Sequence, residues 1–168
     1  MELKQVTKLD EIIIEGQGDI FEYMALYGYH MDVFSELYMR SDFVKRYYDH
    51  GYSFLQGDDV IINLDFLLPE IEDRLTQYPG ATKLIPSVPG NDRDSNLGIA
   101  VPTSETVFDQ DIAYWIGQMY RRLNIMTSIP SERLIELFPF SNMCSLYAGF
   151  HTIDEDQAVE ILTENITM

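Results

Sequence analysis

The chain has 168 residues, 46% of them hydrophobic and 12% aromatic, which is enough for one domain with a real core and too short for two large ones. Twenty-eight Asp and Glu against eleven Lys and Arg leave a formal net charge of -17 at pH 7. That field repels phosphate backbones and anionic head groups, so direct binding to nucleic acid or a membrane surface is excluded as a first reading. One cysteine, Cys144, rules out an intramolecular disulfide framework and fits a reducing compartment. No run of about 18 apolar residues could span a membrane, and the stretch MELKQVTKLDEIII has no apolar run of signal-peptide length. The expectation is a cytoplasmic protein of bacterial or phage origin.

Residues 1–78 read as successive short helices. Asp19 is placed to cap a helix with Ile20, Phe21, Met24 and Tyr27 on one face, ended by Gly28. MDVFSELYMR follows, with Val33, Phe34, Leu37 and Tyr38 at helical spacing, and Ser41 then caps SDFVKRYYDHG. GDDVIINLDFLL fits a helix, or a short strand running into one, and Pro69 suits the first turn of a further helix, PEIEDRLTQY. Residues 79–104 break this pattern with Pro79, Pro86, Pro89 and Pro102 and a turn-rich GNDRDSN. This insertion or linker allows a small β-hairpin, and an ordered loop or hinge fits equally.

From 105 to 168 the helical period returns. Thr103 or Ser104 is placed to cap a helix whose apolar stripe is Ile112, Trp115, Ile116, Met119, Leu123 and Met126. On that wheel Arg121 points away from the stripe into solvent, while Arg122 lies beside the indole or pairs with a nearby acid. SERLIELF, SNMCSLYAGF and DEDQAVEILTEN complete the helices, with Thr152 and Glu155 at capping-box spacing and Ala158, Ile161 and Leu162 facing inward. The fold class is mainly α, a compact multi-helix domain built from both helical parts.

Signals for chemistry are sparse. There is no phosphate-binding glycine loop, dinucleotide fingerprint, paired-histidine zinc helix or two-cysteine metal spacing, so no cofactor or metal is expected. Cys144 and His151 form a weak thiol–base candidate, and His151 with Asp154 and Asp156 a weak metal candidate, since acids at a helix start have a simpler dipole explanation. His30 and His50 fall near predicted helix ends, where a histidine favours the dipole.

The carboxylates cluster. Glu11, Glu15, Asp19 and Glu22 run along one segment; Asp58, Asp59 and Asp65 with Glu70, Glu72 and Asp73 form another; Asp154, Glu155, Asp156, Glu160 and Glu164 line the last helix. Like charges at such spacing cost a few tenths of a kcal/mol per pair. Simple solvation explains them, and so does an acidic face that docks on a basic partner. The candidate partner-binding residues are Asp58, Asp59, Asp65, Glu70, Glu72 and Asp73, with Tyr47, Tyr48 and Tyr52 as aromatic anchors.

Residues 34–61 and 111–162 together resemble a family of small uncharacterised bacterial proteins. Its pattern joins "SD-aliphatic-K/R", here Ser41 to Gly51, to "WIG-x-x-YR", here Trp115 to Arg121, and to a final "HT-x-D" segment, here His151 to Val159. Members sit in toxin–antitoxin loci and on mobile elements, some beside ADP-ribosyltransferase-like toxins, so the resemblance implies a non-enzymatic neutralising partner. With the charge, it makes the leading expectation an acidic inhibitor of a basic nucleic-acid-processing protein, of the anti-CRISPR or DNA-mimic type and directed at an RNA-guided nuclease. The alternatives are an antitoxin covering a toxin enzyme and, third, a small metal-dependent hydrolase using His151 and its neighbouring acids.

Overall fold

Thr7 opens the first helix with a capping box: its hydroxyl accepts from the Asp10 N–H at 3.1 Å and the Asp10 carboxylate accepts from the Thr7 N–H at 2.8 Å. Helix α1 then runs from Lys8–Leu26, so Asp19 lies in mid-helix and not at a cap. The computed structural model describes residues 1–50, 54–78, 85–86 and 106–166. After Gly28, which turns the chain with φ 82°, come α2 (Met31–Met39) and α3 (Asp42–Tyr47), the latter capped by Ser41 as expected. His30 caps the start of α2 by accepting from the Val33 N–H, so it serves as a cap and not as the dipole partner expected at a helix end.

A 3-10 turn, Phe54–Gly57, leads into α4 (Val60–Leu75), capped by Asp59. The two elements expected on either side of Pro69 are thus one helix with the proline inside it. Pro69 lacks the N–H that would bond the Asp65 carbonyl, but Asp65 and Pro69 are both exposed, so water can take that carbonyl and the inner row Leu64, Leu67, Leu68, Ile71 and Leu75 keeps the helix continuous across the gap. Tertiary packing overrides the local signal.

Two-residue strands β1 (Ile85–Pro86) and β2 (Thr106–Val107) pair antiparallel, Ile85 opposite Val107 and Pro86 opposite Thr106. The small hairpin allowed for residues 79–104 about GNDRDSN lies, apart from Ile85–Pro86, outside the described residues. Helix α5 (Gln110–Thr127) is capped by Asp109, whose carboxylate accepts from the N–H groups of Asp111 and Ile112, and not by Thr103 or Ser104, which stand several residues before it. Helices α6 (Ser131–Leu137), α7 (Phe140–Phe150) and α8 (Glu155–Thr163) follow. Asp154 caps α8 in place of the expected Thr152–Glu155 box, and Ile161, expected inside, is 40% exposed.

The centre of the molecule is the antiparallel crossing of α1 and α5. Glu11 meets Arg122 near one end, and Gln17 meets Gly117 at the middle. A Cβ on Gly117 would stand 2.8 Å from the Gln17 carbonyl oxygen and 2.9 Å from Phe21 Cβ, and one on Gly18 would stand 2.7 Å from Gln118 Cγ. Only glycine allows that approach. Helix α5 is consequently buried on most of its circumference, its expected stripe included. Ile20, Phe21 and Met24 share one core with Tyr38, Leu67, Ile116, Leu134 and Val159, so the helical parts before and after residues 79–104 are packed as one unit.

Candidate functional site

The arginine pair of α5 is structural. Arg121 is 0% exposed, contrary to its expected place in solvent, and all five of its N–H donors are used. Nε and Nη2 donate to Gln17 Oε1 at 2.9 and 2.6 Å, Nη1 to Asp49 Oδ1 at 2.7 Å and Asn124 Oδ1 at 2.8 Å, and Nη2 also to Ser131 Oγ at 3.0 Å. The guanidinium lies 5.4 Å from the Tyr48 ring centroid. Gln17 in turn donates to the Gly117 carbonyl at 2.8 Å and accepts from Tyr38 Oη at 2.9 Å, while Asp49 caps α6 by accepting from the Ser131 N–H and hydroxyl. A buried guanidinium is tolerable only when fully paired and hydrogen-bonded. Arg122 pairs with Glu11 at 2.9 Å and Asp156 at 2.8 Å, as expected.

This network disposes of several candidates. Tyr48 is fully buried, its hydroxyl donating to Asn63 Oδ1 at 2.8 Å, and burial pushes its phenol well up; it is a core residue and no docking anchor. Tyr52 lies outside the described residues. Asp154 is a cap, Asp156 holds Arg122, and His151 stacks on Tyr147 with ring centroids 4.2 Å apart and bonds the Tyr147 carbonyl. Among the described residues, no three His, Cys, Asp or Glu are grouped to hold a metal ion. An open pocket of about 530 Å³ beside Asp49 is lined by charged groups that are engaged elsewhere, Lys45 with Glu132, Lys4 with Ser128, Asp10 in the α1 cap and Asp49 with Arg121, together with the exposed His50.

The acids divide. Glu70 reaches across to α3 and accepts from the N–H groups of Asp42 and Phe43 at 2.7 and 3.0 Å, which makes it a helix cap from a neighbouring element. Asp59 caps α4. Asp58, Asp65 and Asp73 are exposed and Glu72 is half-buried. Tyr47 is half-buried, its ring 5.9 Å from that of Phe66.

Asp58 and Asp59 join a second set. With Asp19, Glu22, Tyr23, Leu26 and Val60 they line a depression of about 300 Å³ between α1 and the head of α4. Partial desolvation, then the charges of Glu15 and Asp59, raise the Asp19 carboxyl, and partial desolvation followed by Asp19 and Asp111 raises Glu22. Five carboxylates from three elements therefore act on one another across this end of the molecule. None of Asp19, Glu22, Asp58, Asp65 and Asp73 forms an ion pair with a described residue. Sequence spacing does not add Asp19, Glu22 and Asp111 to the partner-binding set, because the approach of Asp19 and Glu22 to Asp58 and Asp59, and of Asp111 to Glu22, is long-range; the like-charge run on α1 is the signal available.

No family model, curated protein or solved structure matches this chain. The residues carrying the family resemblance are architectural in this fold: Ser41 caps α3, Trp115 and Arg121 are core, and His151 ends α7. No helix among the described residues is long and apolar enough to cross a membrane.

Proposed function

We propose that the protein is a stoichiometric, non-enzymatic inhibitor whose acidic face docks on the basic surface of a nucleic-acid-processing protein, of the DNA-mimic or anti-CRISPR type. The observation that carries this reading is the set of carboxylates Glu15, Asp19, Glu22, Asp58, Asp59 and Asp111, gathered from α1, the segment that caps α4, and α5, where partial desolvation first and neighbouring carboxylates second raise Asp19 and Glu22. A fold that needed only solubility would scatter such charges or intersperse lysines. A basic partner relieves the repulsion on binding, and the long-range field speeds its approach.

The test is capture from a bacterial lysate on the immobilised protein, with parallel washes at low and high salt. A basic nucleic-acid-binding protein that is recovered one to one, released by salt and lost from the Glu22→Lys/Asp58→Lys variant supports the reading. It should survive chelator and His151→Ala. Substoichiometric action blocked by His151→Ala would instead make the protein an enzyme, and a salt-resistant toxin in place of the basic protein would make it an antitoxin.

A further inference from the structure

The face of α4 opposite the core is not uniformly acidic. Ile62, Asp65, Phe66, Pro69, Glu70 and Asp73 are all exposed and recur at helical spacing, so they form one ridge. Ile62 is 40% and Phe66 47% exposed, and Tyr47 of α3 flanks Phe66 edge-on. Exposed acids need no apolar residues between them, and the other face of α4 already supplies Leu64, Leu67, Leu68, Ile71 and Leu75 to the core.

We propose that this ridge is the anchor of the docking face and takes an amphipathic, lysine- or arginine-rich protein segment, with its apolar side chains on Ile62 and Phe66 and its cations beside Asp58, Asp65 and Asp73. The inference rests on the acidic-inhibitor reading and gives its partner a shape. Charge complementarity selects the sign: the exposed acids bracketing Ile62 and Phe66 lack an ion pair with any described residue. A groove built only to hold phosphates would set ammonium groups against Ile62 and Phe66, desolvating cations without a partner. A segment with an apolar centre and a cationic rim satisfies both parts of the ridge, in the usual arrangement of anchor and rim.

Two synthetic peptides of equal charge test it. One carries leucines at i, i+3 and i+4 spacing among lysines, and the other has those leucines replaced by glutamine. Binding to the full chain is measured at low and moderate salt for wild type, Ile62→Ser/Phe66→Ser and Asp65→Lys, with thermal unfolding of each variant checked. The wild type is expected to bind the leucine peptide about tenfold or more tightly than the glutamine peptide. Ile62→Ser/Phe66→Ser should erase that preference while leaving glutamine-peptide binding unchanged, and Asp65→Lys should weaken both peptides and keep the preference. Equal affinity of the two peptides for the wild type, or a leucine preference that survives Ile62→Ser/Phe66→Ser, overturns the ridge while salt-sensitive binding leaves the acidic reading standing. Failure of both peptides to bind at low salt overturns both.

Discussion

Inside the α1–α5 seam, Arg121 satisfies every N–H against Gln17, Asp49, Asn124 and Ser131, and Arg122 bridges Glu11 and Asp156. On the outside of α4 and the adjoining end of α1, Asp19, Asp58, Asp65 and Asp73 are exposed without an ion pair to a described residue. The same chain therefore places two of its eleven basic residues where they organise the core and leaves a row of acids without them. Charge in the seam is fixed, short-range and geometrically specific; charge on the outer face is diffuse, screened by salt and available to a partner. A single charge change should thus act on stability in one region and on association in the other.

The seam should give the largest effects. Arg121→Met leaves the buried Asp49 carboxylate without its counter-charge and takes two of its donors from Gln17 Oε1, at a cost of about 3–5 kcal/mol, read as a drop in the urea midpoint. Replacing Arg121 and Asp49 together by apolar residues should cost less than Arg121→Met alone, because no lone charge then remains buried. Next, Gly117→Ala should cost about 1–3 kcal/mol, since its methyl must push apart the Gln17 carbonyl and the Phe21 side chain. An alanine variant as stable as wild type would mean that α1 and α5 can separate freely.

The helical class, Ser41 as a cap and the apolar stripe of α5 were legible because each depends on local spacing. Arg121 was misread for a definite reason: the wheel assumes one wet face, and α5 has almost none. The residues sharing its side of the helix carried a clue, since Gly117 and Asn124, four before and three after, are what a close crossing with internal hydrogen bonds uses, where a wet face would use Glu or Lys. Pro69 misled in the same way, because its missing donor matters only if the carbonyl it abandons is dry. At the candidate site, hydrogen bonding separates acids that sequence could only group: all three are exposed, but Glu70 caps α3, whereas Asp65 and Asp73 form no ion pair with a described residue. Tyr48 looks like an anchor beside Tyr47 and Tyr52, but its full burial against Arg121 makes it core.

On the outer face the expected stability effects are smaller and their distribution is informative. Glu70→Ala should cost about 1 kcal/mol, as loss of a helix cap does, by freeing the N–H groups of Asp42 and Phe43. Asp65→Ala and Asp73→Ala should each stay within about 0.5 kcal/mol of wild type. Thermal unfolding of the three single variants separates the acid that holds the fold from those available for docking; equal losses would erase the distinction.

Asp19→Asn should move stability the other way. The Asp19 and Glu22 carboxyls are raised in the folded protein, by partial desolvation first and neighbouring carboxylates second. The folded state therefore holds protons more tightly than the unfolded state just above the ordinary carboxylate range, and their contribution to stability falls as pH rises through that window. Glu136, lowered by Arg133 and Arg40, contributes with the opposite sign and loses its share as pH falls, so the wild-type curve mixes both slopes. Subtracting the Asp19→Asn curve isolates the acidic end of α1. At neutral pH the variant should be more stable by about 0.3–0.5 kcal/mol, and the advantage should vanish as the medium is made acidic enough to protonate Asp19. Urea midpoints across a pH series give the difference directly. If Asp19→Asn is the less stable protein at neutral pH, the ionised Asp19 is not held at a cost in the folded state, and the main support for a face kept acidic against its own electrostatic cost is gone.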